Sequence, residues 1–187
     1  MRARATIALV AAATFAGMAA ACGGGGEGDG ETWKTYESPA GFTIEYPPSW
    51  KVVSYDAPGT QKGNVNILNE KRQQQTAPEG GDSGEAWVEI VPEAFPHAPL
   101  DKELSSCGFS VGGGSSEVSD STLGGRDAVL CVGSGPGVYS DLELRLLSYS
   151  IEQPPGKTLA INAYAVDVGP EEFELLKRVL ATVSFED

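Results

Sequence analysis

Ser83 stands in "GDSGE", Gly81 to Glu85, a serine set among glycines and carboxylates and so a candidate nucleophile. Serine attack needs a histidine base within hydrogen-bond reach, with a carboxylate to orient it. The single histidine, His97, follows the serine and lies between prolines in "FPHAP", the setting of an exposed loop residue rather than a base. A second candidate, "PPGKT" from Pro154 to Thr158, ends like a phosphate-binding loop. The full pattern needs a glycine where Ile151 stands, and a helix where the following residues read as a strand. Pro154 and Pro155 also lack the N–H groups that would cradle phosphate, so the segment reads as a hairpin turn. One histidine and three cysteines form no zinc pattern. "GEGDGE" lacks the ligand spacing of a calcium loop. These readings leave no catalytic residue, no metal ligand and no cofactor to assign.

The cysteines carry a different chemistry. Arg2 and Arg4 precede "ATIALVAAATFAGMAAA", Ala5 to Ala21, an uncharged apolar run that ends in small residues. It is at the short limit for a spanning helix and has the layout of a signal peptide. Cys22 follows three alanines directly, and "MAAAC" resembles the lipobox of bacterial lipoproteins, with Ala19 where leucine is usual. The resemblance implies cleavage before Cys22 and lipidation of its sulfur by a diacylglycerol carrying palmitate-type chains. The alternatives are an ordinary secretory cleavage site beside a chance cysteine, or an uncleaved anchor. With Cys22 set aside, Cys107 and Cys131 remain as an even pair, a natural disulfide outside the cytoplasm. The alternative is two buried free thiols acting as small hydrophobes.

Charge excludes one class of partner. The formal net charge is −13, and it becomes two units more negative once Arg2 and Arg4 are removed. A chain this acidic, with no Lys/Arg cluster, cannot release counterions from a phosphate backbone, so nucleic-acid binding is not expected. Acidity here keeps the protein soluble. Hydrophobic residues at 41% and aromatics at 8% suffice for one packed core.

The elements that must position these residues follow from periodicity. Residues 1–21 read as the signal peptide and 22–31 as a Gly-rich acidic tether. The nine residues "GGGGEGDGE" after Cys22 span roughly 15–18 Å as a random coil. Residues 32–187 read as one domain. "TWKTYES", "GFTIEY", "WKVVSY", "NVNILN", "AWVEIVP", "AVLCVG", "LELRLLSYSIE" and "TLAINAYAV" read as strands, with "VGGGSSE" a glycine loop. In "LELRLLSYSIE" the apolar phase switches at Leu147, which means either a bulge or a strand covered on both faces in its second half. "TLAINAYAV" is apolar in both phases and belongs in the middle of a sheet. "QPPGK" joins these two as a hairpin. Glu70 to Glu85 is a long polar loop without one large apolar side chain, expected outside the core and either functional or disordered. Pro99 to Ser106 fits a short helix. Pro170, Glu171 and Glu172 open an amphipathic helix whose apolar face carries Phe173, Leu176, Val179, Leu180 and Val183. The expectation is an α+β domain: a mostly antiparallel sheet flanked by helices.

Gly41-Phe42, Tyr46-Pro47, Trp50, Gly125-Arg126-Asp127-Ala128 and the stretch Val179 to Phe185 together resemble the PsbP-like fold, over roughly Thr32 to Asp187. That group holds the photosystem extrinsic protein and many small bacterial envelope lipoproteins. None of these residues forms a catalytic motif. The resemblance implies an accessory, non-enzymatic envelope protein, held to the membrane by lipid on Cys22 and binding other envelope proteins. The alternative is a carrier of a small apolar ligand or lipid, held between sheet and helix. Physically, Phe42, Ile44 and Tyr46 share one strand face, and Pro47-Pro48 end the ladder there. Trp50 is then expected to fold back over that face as a core anchor rather than a ligand platform.

Overall fold

The computed structural model describes residues 32–55, 63–72, 83–94, 114–136, 142–153 and 156–186. All belong to a compact unit spanning Glu31–Asp187. Cys22, His97, Cys107 and the expected helix over Pro99 to Ser106 lie outside the described residues, as do the signal and tether segments.

The chain opens on β1 (Lys34–Ser38) and β2 (Phe42–Tyr46), joined by a tight turn in which Gly41 donates its N–H to Ser38 O at 3.0 Å. β3 (Lys51–Tyr55), β4 (Asn64–Leu68) and β5 (Glu85–Ala94) follow, then β6 (Ser115–Leu123), β7 (Arg126–Pro136), β8 (Glu143–Gln153) and β9 (Lys157–Val166). Helix α1 (Pro170–Ala181) and a two-residue strand, β10 (Ser184–Phe185), close the unit. Seven strands form one sheet in the order β3-β4-β5-β9-β8-β7-β6, and β1-β2-β10 form a second. Every pairing is antiparallel.

The mostly antiparallel sheet is as expected, but flanking by several helices is not. Among the described residues α1 is the one helix, and it packs against β5, β9 and β2. Proline at its start and Glu171 and Glu172 in its first turn suit the positive end of the helix dipole. Leu176, Val179 and Leu180 are its buried face. The helix stops at Ala181, so Val183 lies past its end, yet Val183 is buried in the same core. Thr182 makes that stop. Its hydroxyl accepts the Glu45 N–H at 2.8 Å and lies 2.7 Å from Val179 O, which ties the helix end to β2.

The main core lies between α1, the small sheet and the helix-side face of the large sheet. Phe42, Ile44, Tyr46 and Trp50 meet Val88, Ile90, Ile161, Ile151 and Leu176 there. Trp50 is 4% exposed, and its backbone N–H donates to Pro47 O at 3.0 Å, so the Pro-Pro corner folds the indole back onto the β2 face. β8 pairs with both neighbours without a register shift, and Leu144 and Leu146 are buried on one face as Leu147 and Ile151 are on the other. Of the two readings of its phase switch, cover on both faces is the one realised. β9 is central, between β5 and β8.

Two elements were not expected. β6 begins inside the "VGGGSSE" segment read as a glycine loop and runs on through residues given no element; "SSEVSDSTL" is mostly polar in both phases because it is an edge strand, exposed along most of its length. The turn joining it to β7 explains "GGRDA". Gly124 (φ 57°) and Gly125 (φ 81°) supply the two positive-φ positions of a two-residue hairpin. A Cβ on Gly124 would sit 2.8 Å from Val183 O and from the Phe185 ring, and Arg126 stacks on that ring at 4.3 Å. The hairpin is thus seated on Val183 and Phe185, at β10, which pairs with β2 through Ser184 and Phe185.

Candidate functional site

The large sheet's far face, opposite α1, buries polar side chains in an ordered row. The register sets Asn66 of β4 beside Glu89 of β5, Glu89 beside Asn162 of β9, Asn162 beside Ser148 of β8, and Ser148 beside Cys131 of β7. Asn66, Glu89 and Ser148 are all buried. Ser148 Oγ donates to Asn162 Oδ1 at 2.6 Å, and Asn162 Nδ2 donates to Glu89 Oε2 at 3.2 Å. The Tyr164 hydroxyl donates to the same carboxylate oxygen at 3.3 Å. Each member interrupts an apolar run, as in "NVNIL", "WVEIV", "LLSYS" and "AINAY", and that interruption is the signal sequence reading passed over.

Two residues nearer the β5 start, on the same face, Leu68, Trp87, Tyr164 and Leu146 form an apolar row. Trp87 and Tyr164 stack with centroids 4.7 Å apart. The Arg72 guanidinium lies 3.5 Å from the Trp87 ring centroid, and its Nη1 bonds Glu85 Oε2 at 2.8 Å. Both side chains of that pair are buried, at 1% and 4% exposure. Burial pushes the Arg72 pKa below its ordinary value, while Glu85, and then Glu89, oppose the shift. A guanidinium stripped of water is stabilised by its carboxylate partner and by the indole face.

This corrects the reading of Glu70 to Glu85 as a loop outside the core. Its two ends are built in: Arg72 and Glu85 are paired beneath the surface, and Asn69 Nδ2 donates to Gly84 O at 3.0 Å. Residues 73–82 lie outside the described residues. Ser83, the sequence's nucleophile candidate, donates its hydroxyl to Asp167 Oδ2 at 2.7 Å. Asp167 has φ 46°, the one positive-φ non-glycine among the described residues, and its N–H is held by Glu143 O at 2.7 Å. The pair pins the start of β5 to the end of β9. Cys131 is buried on β7. Among the described residues no group of three or more His, Cys, Asp or Glu is placed to hold a metal ion.

On the helix side, a cavity of about 350 Å³ opens between α1, the β6–β7 turn and β8. Leu123, Leu147, Tyr149, Leu180 and Ala181 line it, with Lys177 at its rim.

No protein-family model matches the chain, and no curated protein does. Several solved structures are similar. LpqN of Mycobacterium tuberculosis, described as involved in cell envelope biogenesis, is 16% identical with a TM-score of 0.47, over 84% of this chain and 91% of that one. The cyanobacterial PsbP, CyanoP, of Synechocystis sp. PCC 6803 is 14% identical with a TM-score of 0.47, over 87% and 96%. A structure from Bacteroides thetaiotaomicron is 14% identical with a TM-score of 0.45. The match covers 82% of this chain, which spans only 48% of the Bacteroides protein's length. At these scores the likenesses assign no activity.

Proposed function

We propose that the chain is a non-enzymatic lipoprotein of the bacterial cell envelope, anchored through lipid on Cys22, whose domain serves as an accessory binding module for other envelope proteins. The observation that supports this reading is how the reactive side chains are used. Ser83 is spent on Asp167, Arg72 on Glu85, and Glu89 on Asn162 and Tyr164. These bonds fix strands to one another, so the domain offers a rigid surface rather than an activated nucleophile. Among the described residues no helix is long and apolar enough to cross a membrane. Crosslinking in the native cell, followed by identification of the adducts, tests the reading. A reproducible envelope protein attached to the wild type is expected, and its yield should fall when Cys22→Ser releases the domain from the membrane. Recovery of uncrosslinked chain alone would contradict it. The second reading, a carrier, is favoured by the cavity beside α1.

A further inference from the structure

Helix α1 covers the β5–β9 part of the large sheet and leaves the β6–β7–β8 flank of the same face beside it. On that flank Val132 of β7 faces Leu147 of β8, and Leu130 faces Tyr149. Val132, 40% exposed, is the one exposed large hydrophobic among the described residues. This apolar strip runs into the cavity through Leu147 and Tyr149, which belong to both. One wall is the helix, and its rim carries Lys177. Phe173, one turn earlier, has Lys177 Nζ at 5.0 Å and Arg145 at 5.6 Å from its ring centroid.

We propose that this trough binds a single-chain amphiphile with an anionic head, its chain on Leu147, Tyr149, Leu130 and Val132 and its head at Lys177. The proposal rests on the carrier reading and names its ligand class. A volume of about 350 Å³ is at the small end of ligand sites, which suits one medium-length chain. Lys177 is paired with Glu174 at 2.7 Å, but both side chains are about half exposed, and such pairs are weak enough for a ligand carboxylate to replace. Arg145 is held in the same way by Glu143 at 2.9 Å. The net charge of −13 repels anions from the molecule as a whole, so preference for an anion can arise only from a local cation such as Lys177.

Decanoate, decanol and decyltrimethylammonium, titrated into the purified domain below their micellar concentrations, separate the components. Decanoate is expected to saturate at one per chain and to bind more tightly than the other two. Lys177→Gln should weaken decanoate roughly tenfold and flatten its salt dependence, leaving decanol unchanged. Ala181→Phe, at an exposed helix position that lines the cavity, should weaken both decanoate and decanol by more than tenfold. Melting curves of the two variants check that each is folded. Equal binding of decanoate and decanol, indifferent to Lys177→Gln but lost in Ala181→Phe, would overturn the anionic head while leaving the carrier reading standing. Absence of saturable binding by any of the three would overturn both.

Discussion

Arg72 is the residue on which sequence and structure differ most. It sits in a stretch with no large apolar side chain, yet its side chain is buried against Trp87 and Glu85. Nothing local in "EKRQQQ" separates it from its solvated neighbours; the difference is made by Glu85 and Trp87 on β5, which only the closed fold brings beside it. Arg72→Met leaves the Glu85 carboxylate buried and unpaired, at an expected cost of about 3–5 kcal/mol in urea unfolding. Replacing both, as Arg72→Met with Glu85→Leu, should recover most of that loss. A double variant no better than the single one would show that the pair is not the reason. The two turn glycines make a sharper contrast. Both carry positive φ, but only Gly124 meets Val183 O and Phe185 where a methyl would go, while Gly125 faces open space. Gly125→Ala should cost about 1 kcal/mol from the left-handed backbone alone. Gly124→Ala should cost distinctly more, about 2–3 kcal/mol once the clash is added. Equal losses would mean that the hairpin is not seated on the C-terminal strand as described.

Strands with one apolar face or two were legible because burial imposes a period. "GFTIEY" and "TLAINAYAV" announced a half-covered strand and a central one, and β2 and β9 are these. β6 was not legible, since an edge strand exposed along most of its length has no apolar phase to display. The polar row was visible in principle as one polar residue inside each of four apolar runs. Seeing it as a row required the register, which no single strand contains. Pairing of cysteines is a proposal of the same kind, because it joins β7 to a segment distant in sequence. A Cys107–Cys131 bond would close a loop of roughly two dozen residues and contribute about 3–4 kcal/mol in the chain-entropy account. Adding reductant should then lower the melting temperature clearly. Two free thiols found in unreduced, denatured mature protein would rule the bond out.

The whole molecule, as proposed, is an acidic domain on a short acidic tether, held to a bilayer by the lipid on Cys22. Two acyl chains give stable anchoring where one gives only reversible binding. The tether's carboxylates would be repelled by anionic lipids, so they add nothing to that hold. A domain held roughly 15–18 Å from the bilayer can reach partners at the membrane surface, which is what an accessory module of the envelope requires. The most direct measurement is the intact mass of the native protein, read beside the fractionation of Cys22→Ser. The account predicts a mature chain that begins at Cys22 with the added mass of a diacylglycerol, and a variant that either moves to the soluble fraction or keeps its uncleaved signal segment. A mature chain beginning at residue 22 with no added lipid would contradict it.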